Sequence, residues 1–290
     1  MTVLNIRHRT TYRYREPVRL GPHRLMLRPR ESRDVRLLSS TLEMTPAASL
    51  SWTTDVFGNA VATAGFAGLA DRLTIENRAV VELGASPWPV FDIAPSAIHY
   101  PFFYSSEERA DLGALATPQT FDASGRLVEW SGGFVRGEPT DTLAVLKDMA
   151  TGVAAGIGYQ SREAEGTQTP LQTIDRGWGS CRDFAVLFVE AARCLGFGAR
   201  IISGYLYNGD GGPVPEGSAR GAGTTHAWAE IFVPGAGWIT FDPTNRAVGG
   251  YNLIPLAVGR VITQVMPMTG TFLGMTDAYL GMSVDVEVTP

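Results

Sequence analysis

Apolar and polar residues alternate along residues 3–14, 36–44 and 73–83, and Pro, Gly and Asn separate these stretches. A period of two predicts strands with one buried face, so residues 1–84 read as an antiparallel β domain. Asp55-Val56-Phe57-Gly58-Asn59 has the Gly and Asn expected of a strand-joining turn. The alternation then stops. Residues 85–138 carry many Pro, Ser and Gly with little period, and read as a connecting segment that wraps one domain onto the next.

From residue 139 the period lengthens. Thr140 or Asp141 can cap a helix that carries Leu143, Leu146, Met149 and Val153 on one face, with Tyr159 following its end. Phe184, Leu187, Phe188, Ala191, Ala192 and Leu195 recur at three- and four-residue intervals and predict a second helix over about 181–195, stopped by Gly196. Residues 200–207, 226–233 and 238–242 read as strands of one sheet. Residues 139–290 are therefore expected to pack helices on an antiparallel sheet, giving an α+β protein.

At 290 residues the chain has ample core for two domains. A formal charge of -5 argues against general nucleic-acid binding. Ten arginines do fall between Arg7 and Arg36, but in alternating sequence they read as solvent-facing strand positions. Met1-Thr2-Val3-Leu4-Asn5-Ile6-Arg7-His8 lacks the apolar core of a signal peptide, and no run of about 18 apolar residues occurs, so the expectation is a cytoplasmic protein without a membrane partner. The oligomeric state is not readable. His8, His23 and His99 lack metal-ligand spacing and are assigned structural or surface roles; no metal is expected.

Two cysteines do not make a secreted disulfide scaffold. Cys181 and Cys194, on one helix, would lie about 20 Å apart, beyond the roughly 7 Å limit for a disulfide. Cys194, beside Leu195, reads as core. Cys181 stands apart. It follows the glycine-loosened Gly177-Trp178-Gly179-Ser180 at the expected helix start, where a thiolate is stabilised and can act as a nucleophile. His226, in Thr225-His226-Ala227-Trp228-Ala229-Glu230, is the candidate base, and Asp242, in Trp238-Ile239-Thr240-Phe241-Asp242-Pro243-Thr244, the candidate orienting carboxylate. Full ionisation of a thiol gains only about thirtyfold, so positioning and an oxyanion site must supply the rest. The Cys181 N–H is one expected donor, and Tyr159 or Trp178 a second.

A tight turn at Pro234-Gly235-Ala236-Gly237 would set Asp242 opposite about Glu230. That is four residues, roughly 13 Å, from His226. The triad then needs a bulge, strong twist or a wider loop, and Glu230 stays open as an alternative orienter. Asp183 is expected to cap the helix, and Trp228 and Trp238 to be packing walls. The glycine-rich residues 208–223 read equally as a flap over the cleft or as a surface loop.

Gly-Ser-Cys-Arg-Asp-Phe-Ala at 179–185, Gly-Phe-Gly-Ala-Arg at 196–200, Ser-Gly-Tyr-Leu at 203–206, His-Ala-Trp-Ala-Glu at 226–230 and Trp-Ile-Thr-Phe-Asp-Pro-Thr-Asn at 238–245 together resemble the transglutaminase-like cysteine hydrolase superfamily, in its bacterial two-domain form. The segment from His8 through Tyr14, Pro17, His23, Leu27 and Pro29 to 55–59 resembles that family's N-terminal β domain. The resemblance implies a papain-like core, a Cys181–His226–Asp242 triad and no cofactor. Leu253 after Asn252 and Val261 after Gly259-Arg260 depart from a His and an Asp common in relatives, which bears on substrate detail. The expected activity is hydrolysis of a peptide or isopeptide-like amide in a peptide or protein substrate. The alternatives are protein-glutamine transamidation and a non-catalytic peptide-binding module.

Overall fold

The computed structural model describes residues 1–162, 166–209 and 224–290. The N-terminal strands are β1 (Thr2–Leu25), β2 (Val35–Thr45), β3 (Ala48–Thr54), β4 (Ala60–Phe66) and β5 (Ala70–Leu83). Next come β6 (His99–Tyr100), α1 (Ser106–Leu112), α2 (Arg126–Gly132), β7 (Thr140–Asp141), α3 (Thr142–Gly156), β8 (Gly158–Tyr159), α4 (Pro170–Arg176), β9 (Trp178–Gly179) and α5 (Cys181–Cys194). The remaining strands are β10 (Gly198–Leu206), β11 (Thr224–Val233), β12 (Gly237–Asp242), β13 (Ala247–Val248), β14 (Leu253–Gly259), β15 (Met268–Leu273) and β16 (Tyr279–Thr289). Helices on an antiparallel sheet, preceded by a β-rich region, make this an α+β protein, as the sequence pattern predicts.

The alternation in β1 does what period two requires. Leu4, Ile6, His8 and Thr10 are buried while Asn5 and Arg9 face solvent. Pro17, which has no N–H to donate, lies where pairing of β1 with β5 lapses between Arg13 and Val18. The arginines largely decorate the outer side: Arg9, Arg13, Arg15, Arg19, Arg28, Arg33 and Arg36 are exposed.

The C-terminal strands depart from the sequence reading. β15 and β16, placed by that reading with the catalytic segment, pair antiparallel with β1, Asn5 opposite Thr289 and Leu25 opposite Met268. A seven-stranded sheet thus draws on both ends of the chain. No local pattern announces such a pairing.

The second sheet runs β13-β12-β11-β10-β14. Helix α5 lies on it, and Phe184, Leu187, Phe188, Val189, Ala191 and Ala192 are all 1% exposed or less, so this helix is buried nearly all round. Two of its buried polar residues pair with each other: Arg193 Nη1 donates to Glu190 Oε1 at 2.6 Å. The other Glu190 oxygen accepts the N–H groups of Gln119 and Thr120, both at 2.7 Å. Tyr104 donates its hydroxyl to Phe232 O and accepts from Gly198 N. Residues 85–138 therefore hold short helices and bond directly to α5 and the second sheet. Their weak period reflects helices of only seven residues.

Candidate active site

Three short pieces of chain build the start of α5. Ser180 is the N-cap and Asp183, three residues on, completes a capping box. The fully buried Asp183 carboxylate accepts from Ser180 N and Ser180 Oγ, each at 2.8 Å, and from Gln168 N at 2.6 Å. Arg162 Nη2 sits 3.0 and 3.1 Å from its two oxygens. The expected cap is therefore present, and Arg162 balances a negative charge that would otherwise stand two residues from Cys181.

Cys181 is the first helical residue, where backbone N–H groups have no carbonyl a turn earlier to bond. Both cysteines are free. Burial pushes the Cys181 thiol pKa up. This is outweighed by a hydrogen bond and charge from His226, the N–H of Ala227 and the charge of Arg182, so the thiol lies below its ordinary value. Cys194 has no such neighbours, and burial with the charge of Glu190 pushes it up to about 11. One helix thus carries two thiols of opposite character.

His226 is 7% exposed on β11. Its Nε2 lies 2.8 Å from Asp242 Oδ2, which leaves Nδ1 as the nitrogen free to serve the sulfur. Burial alone would lower its pKa. The charge and hydrogen bond of Asp242, with those of Cys181, override burial and raise it to about 10. Asp242 is pushed up by desolvation and more strongly down by His226 and Asn245, so it stays ionised.

The strand register corrects the sequence reading. Val233 pairs with Gly237, so the turn is the three residues Pro234-Gly235-Ala236, one shorter than expected. Gly235 and Gly237 take positive φ, +84° and +74°, which the tight reversal requires. Glu230 is opposite Thr240, and continuing that register sets Asp242 opposite Trp228. The offset to His226 is two residues on one face, a diagonal reach that needs no bulge. Glu230 is not the orienter. It pairs with Arg200, whose guanidinium lies 2.6 Å away and 4.0 Å over the Trp238 ring.

The Asp242 carboxylate is held by groups the sequence reading passed over. Oδ1 accepts from Thr244 N at 3.0 Å and Asn245 N at 3.2 Å, and Oδ2 accepts from Asn245 Nδ2 at 2.7 Å. An Asp followed by Pro-Thr-Asn is a turn-initiating sequence whose side chain takes backbone N–H groups two and three residues on, and that signal was present.

Tyr159 and Trp178, the two oxyanion candidates, lie on paired strands beside the start of α5. β8 pairs in parallel with β9, setting Tyr159 opposite Gly179, two residues before Cys181. The Tyr159 hydroxyl is pushed up to about 12 by desolvation and the charge of Cys181, so it keeps its proton. Arg176 lies over the Trp178 ring, 5.8 Å from its centroid. Cavities of about 490 Å³ beside Arg24, Asp55, Phe57 and Gln264, and about 310 Å³ beside Asp34, Trp88, Trp238 and Gly249, include none of Cys181, His226 and Asp242. The glycine-rich flap candidate lies, from residue 210 to 223, outside the described residues. Among the described residues no His, Cys, Asp and Glu gather in a metal-binding group, and no helix is long and apolar enough to cross a membrane.

Residues 4–82 match the Bacterial transglutaminase-like N-terminal region, and residues 128–243 match the Transglutaminase-like superfamily. An uncharacterized protein of Mycobacterium tuberculosis (strain ATCC 25618 / H37Rv) is 28% identical, with 97% of this chain and 91% of the relative covered. An uncharacterized protein of Mycobacterium leprae (strain TN) is 23% identical, over 98% of each. A solved structure from Cytophaga hutchinsonii, presented as a candidate cysteine protease, shares the fold with a TM-score of 0.72 and 18% identity, covering 99% of this chain and 90% of that one. With the strand order, the helix-borne cysteine and these matches agreeing, the chain belongs to the transglutaminase-like superfamily, as a bacterial-type member whose core follows an N-terminal β region.

Proposed function

We propose that this protein is a cysteine-dependent amide hydrolase, of peptidase or isopeptidase type, working through a thioester acyl-enzyme. The observation that carries this reading is the line Asp242–His226–Cys181. A buried carboxylate holds the imidazole charged, and the imidazole acts on a thiol of lowered pKa at a helix start. The Cytophaga hutchinsonii protein's description as a candidate cysteine protease supports the same class.

In this reading the Cys181 thiolate attacks the amide carbonyl carbon, and the carbonyl π electrons move onto oxygen. The Cys181 N–H and the protonated Tyr159 hydroxyl face the oxyanion. When the tetrahedral adduct collapses, His226 gives its Nδ1 proton to the leaving nitrogen, the C–N bond breaks and an amine departs. Neutral His226 then takes a proton from water as that water attacks the thioester. The acid leaves and the thiolate–imidazolium pair is restored. Asp242 stays ionised throughout, fixing the ring and its charge.

Iodoacetamide labelling across pH, with the modified cysteine mapped by mass spectrometry, tests the pair. Cys181 is expected to label well below the pH at which Cys194 does, and His226→Ala to move Cys181 toward ordinary thiol behaviour. Equal labelling of both cysteines would sink the triad and favour a binding module. Product analysis with and without an added amine then distinguishes hydrolysis from transfer, since a stable amine adduct would convert the assignment to a transamidase.

A further inference from the structure

Between the N-terminal β region and the catalytic histidine runs a continuous set of contacts. The turn joining β3 to β4 reaches across to the second sheet. Asp55 shapes it, accepting from Phe57 N at 3.0 Å, Asn59 N at 2.9 Å and Asn59 Nδ2 at 2.8 Å. Asn59 has no solvent exposure, and its side chain imitates a strand partner: Nδ2 donates to Val258 O at 2.7 Å and Oδ1 accepts from Val258 N at 2.9 Å. Arg30 Nη1 donates to the same Oδ1 at 2.6 Å and to Phe57 O at 3.1 Å. These bonds fix where Phe57 lands.

Phe57 packs on a small apolar cluster of Ile202, Leu206, Trp228, Leu253 and Val258, apart from both main cores. Trp228 lies 2% exposed, with its ring centroid 6.1 Å from that of His226 and the planes 26° apart. On the neighbouring strand, Gly204 stands opposite His226, and a Cβ there would come within 2.6 Å of the Trp228 ring. The indole is therefore fitted between a bare stretch of backbone and the imidazole. Its other support is the cluster that Phe57 covers.

We infer that the Asp55–Asn59 turn is a positioning element for catalysis: Asn59 bolts it to β14, and Phe57 holds the Trp228 indole that sets the tilt of the His226 ring. Phe57 and Asn59 touch neither substrate nor reacting atoms; they act through Trp228. The inference rests on the proposed Cys181–His226–Asp242 triad and gives the N-terminal region a part in its chemistry. Asp242 holds one ring nitrogen and the Cys181 sulfur meets the other, but two bonds in the ring plane leave the imidazole free to tilt about the axis that joins them. A stacked face removes that freedom.

The test measures Cys181 labelling against pH in the full chain, alongside thermal unfolding, for wild type, His226→Ala, Phe57→Ala, Phe57→Leu, Asn59→Ser and Val56→Ala. Val56 belongs to the same turn but is 93% exposed, so it controls for disturbance of the turn itself. Phe57→Ala and Asn59→Ser are expected to slow labelling at neutral pH by about threefold or more and to move the profile toward that of His226→Ala. Phe57→Leu should restore most of the rate and Val56→Ala should match wild type. A wild-type profile in folded Phe57→Ala and Asn59→Ser, even at lower melting temperature, overturns the inference while leaving the triad intact. Should Phe57→Ala not fold, Asn59→Ser and the graded Phe57→Leu decide in the same way. If wild type and His226→Ala label alike, the triad reading fails and the positioning role fails with it.

Discussion

Two buried imidazoles sit in different regions of this molecule and carry opposite charge states. His226, in the candidate active site, faces a carboxylate and has its pKa raised to about 10. His8, in the seam between the two sheets and 1% exposed, faces only hydroxyls: Tyr205 Oη is 2.9 Å from Nδ1 and Thr10 Oγ1 is 3.1 Å from Nε2. Its burial lowers the pKa to about 4. Burial is common to both, so the neighbouring group decides. A carboxylate makes a buried histidine an acid store, and a pair of hydroxyls makes it a neutral joint.

Removing the carboxylate breaks the contrast most severely. In Asp242→Asn the ring keeps a partner of similar shape but loses the charge that holds its proton. Amide turnover is expected to fall by about 10³-fold. Steady-state kinetics on a peptide library hit, with Cys181→Ala as the zero, measures it, and a loss below tenfold would mean that Asp242 does not set the protonation of His226.

The seam histidine gives the next largest effect, in stability. Folded His8 stays neutral down to about pH 4, whereas an unfolded imidazole takes up a proton near pH 6.5. Its contribution is therefore present above pH 6.5 and lost as pH falls toward 4, by about 3 kcal/mol. His226 has the reverse sign: its contribution is whole below about pH 6.5 and disappears as pH rises toward 10. Urea unfolding of wild type and His8→Gln at pH 4 and pH 7 should show the steeper acid slope in wild type, since His23, whose pKa burial also lowers, remains in both. Parallel slopes would show that His8 is protonated like any exposed histidine.

Tyr205→Phe sharpens the same point at smaller scale, leaving a buried ring nitrogen without its partner at a cost of about 2 kcal/mol at neutral pH, read by the same unfolding curves. Asn245→Ala is the mildest change. It deletes one of the donors to Asp242 while the backbone donors remain, and kcat is expected to fall about tenfold with KM little altered. A rise in KM alone would assign Asn245 to substrate binding.

Much of this was legible locally. Ser180 with Asp183 three residues later, before an apolar repeat, marked the start of α5, and Gly196, at φ +85°, marked its stop. The order Cys181, His226, Asp242 named the cluster. Distances between strands were less legible, because register depends on the turn: reading four residues where three form the reversal moved Asp242 by a pair and brought Glu230 forward as a rival. Asn245 was missed because its partner is a side chain already given a role. The return of β15 and β16 to β1 has no local signature at all, since their alternation fits either sheet.

That return also bears on how the protein comes to exist. β1 lies between β5 and β16, so one of its two hydrogen-bonding edges stays bare until residues 279–289 have been synthesised, long after residues 1–84 emerge. During that interval the nascent chain presents a long strand edge of the kind other chains can pair with. The residues of the candidate site, 159–245, all precede the strand that seals the sheet beside them.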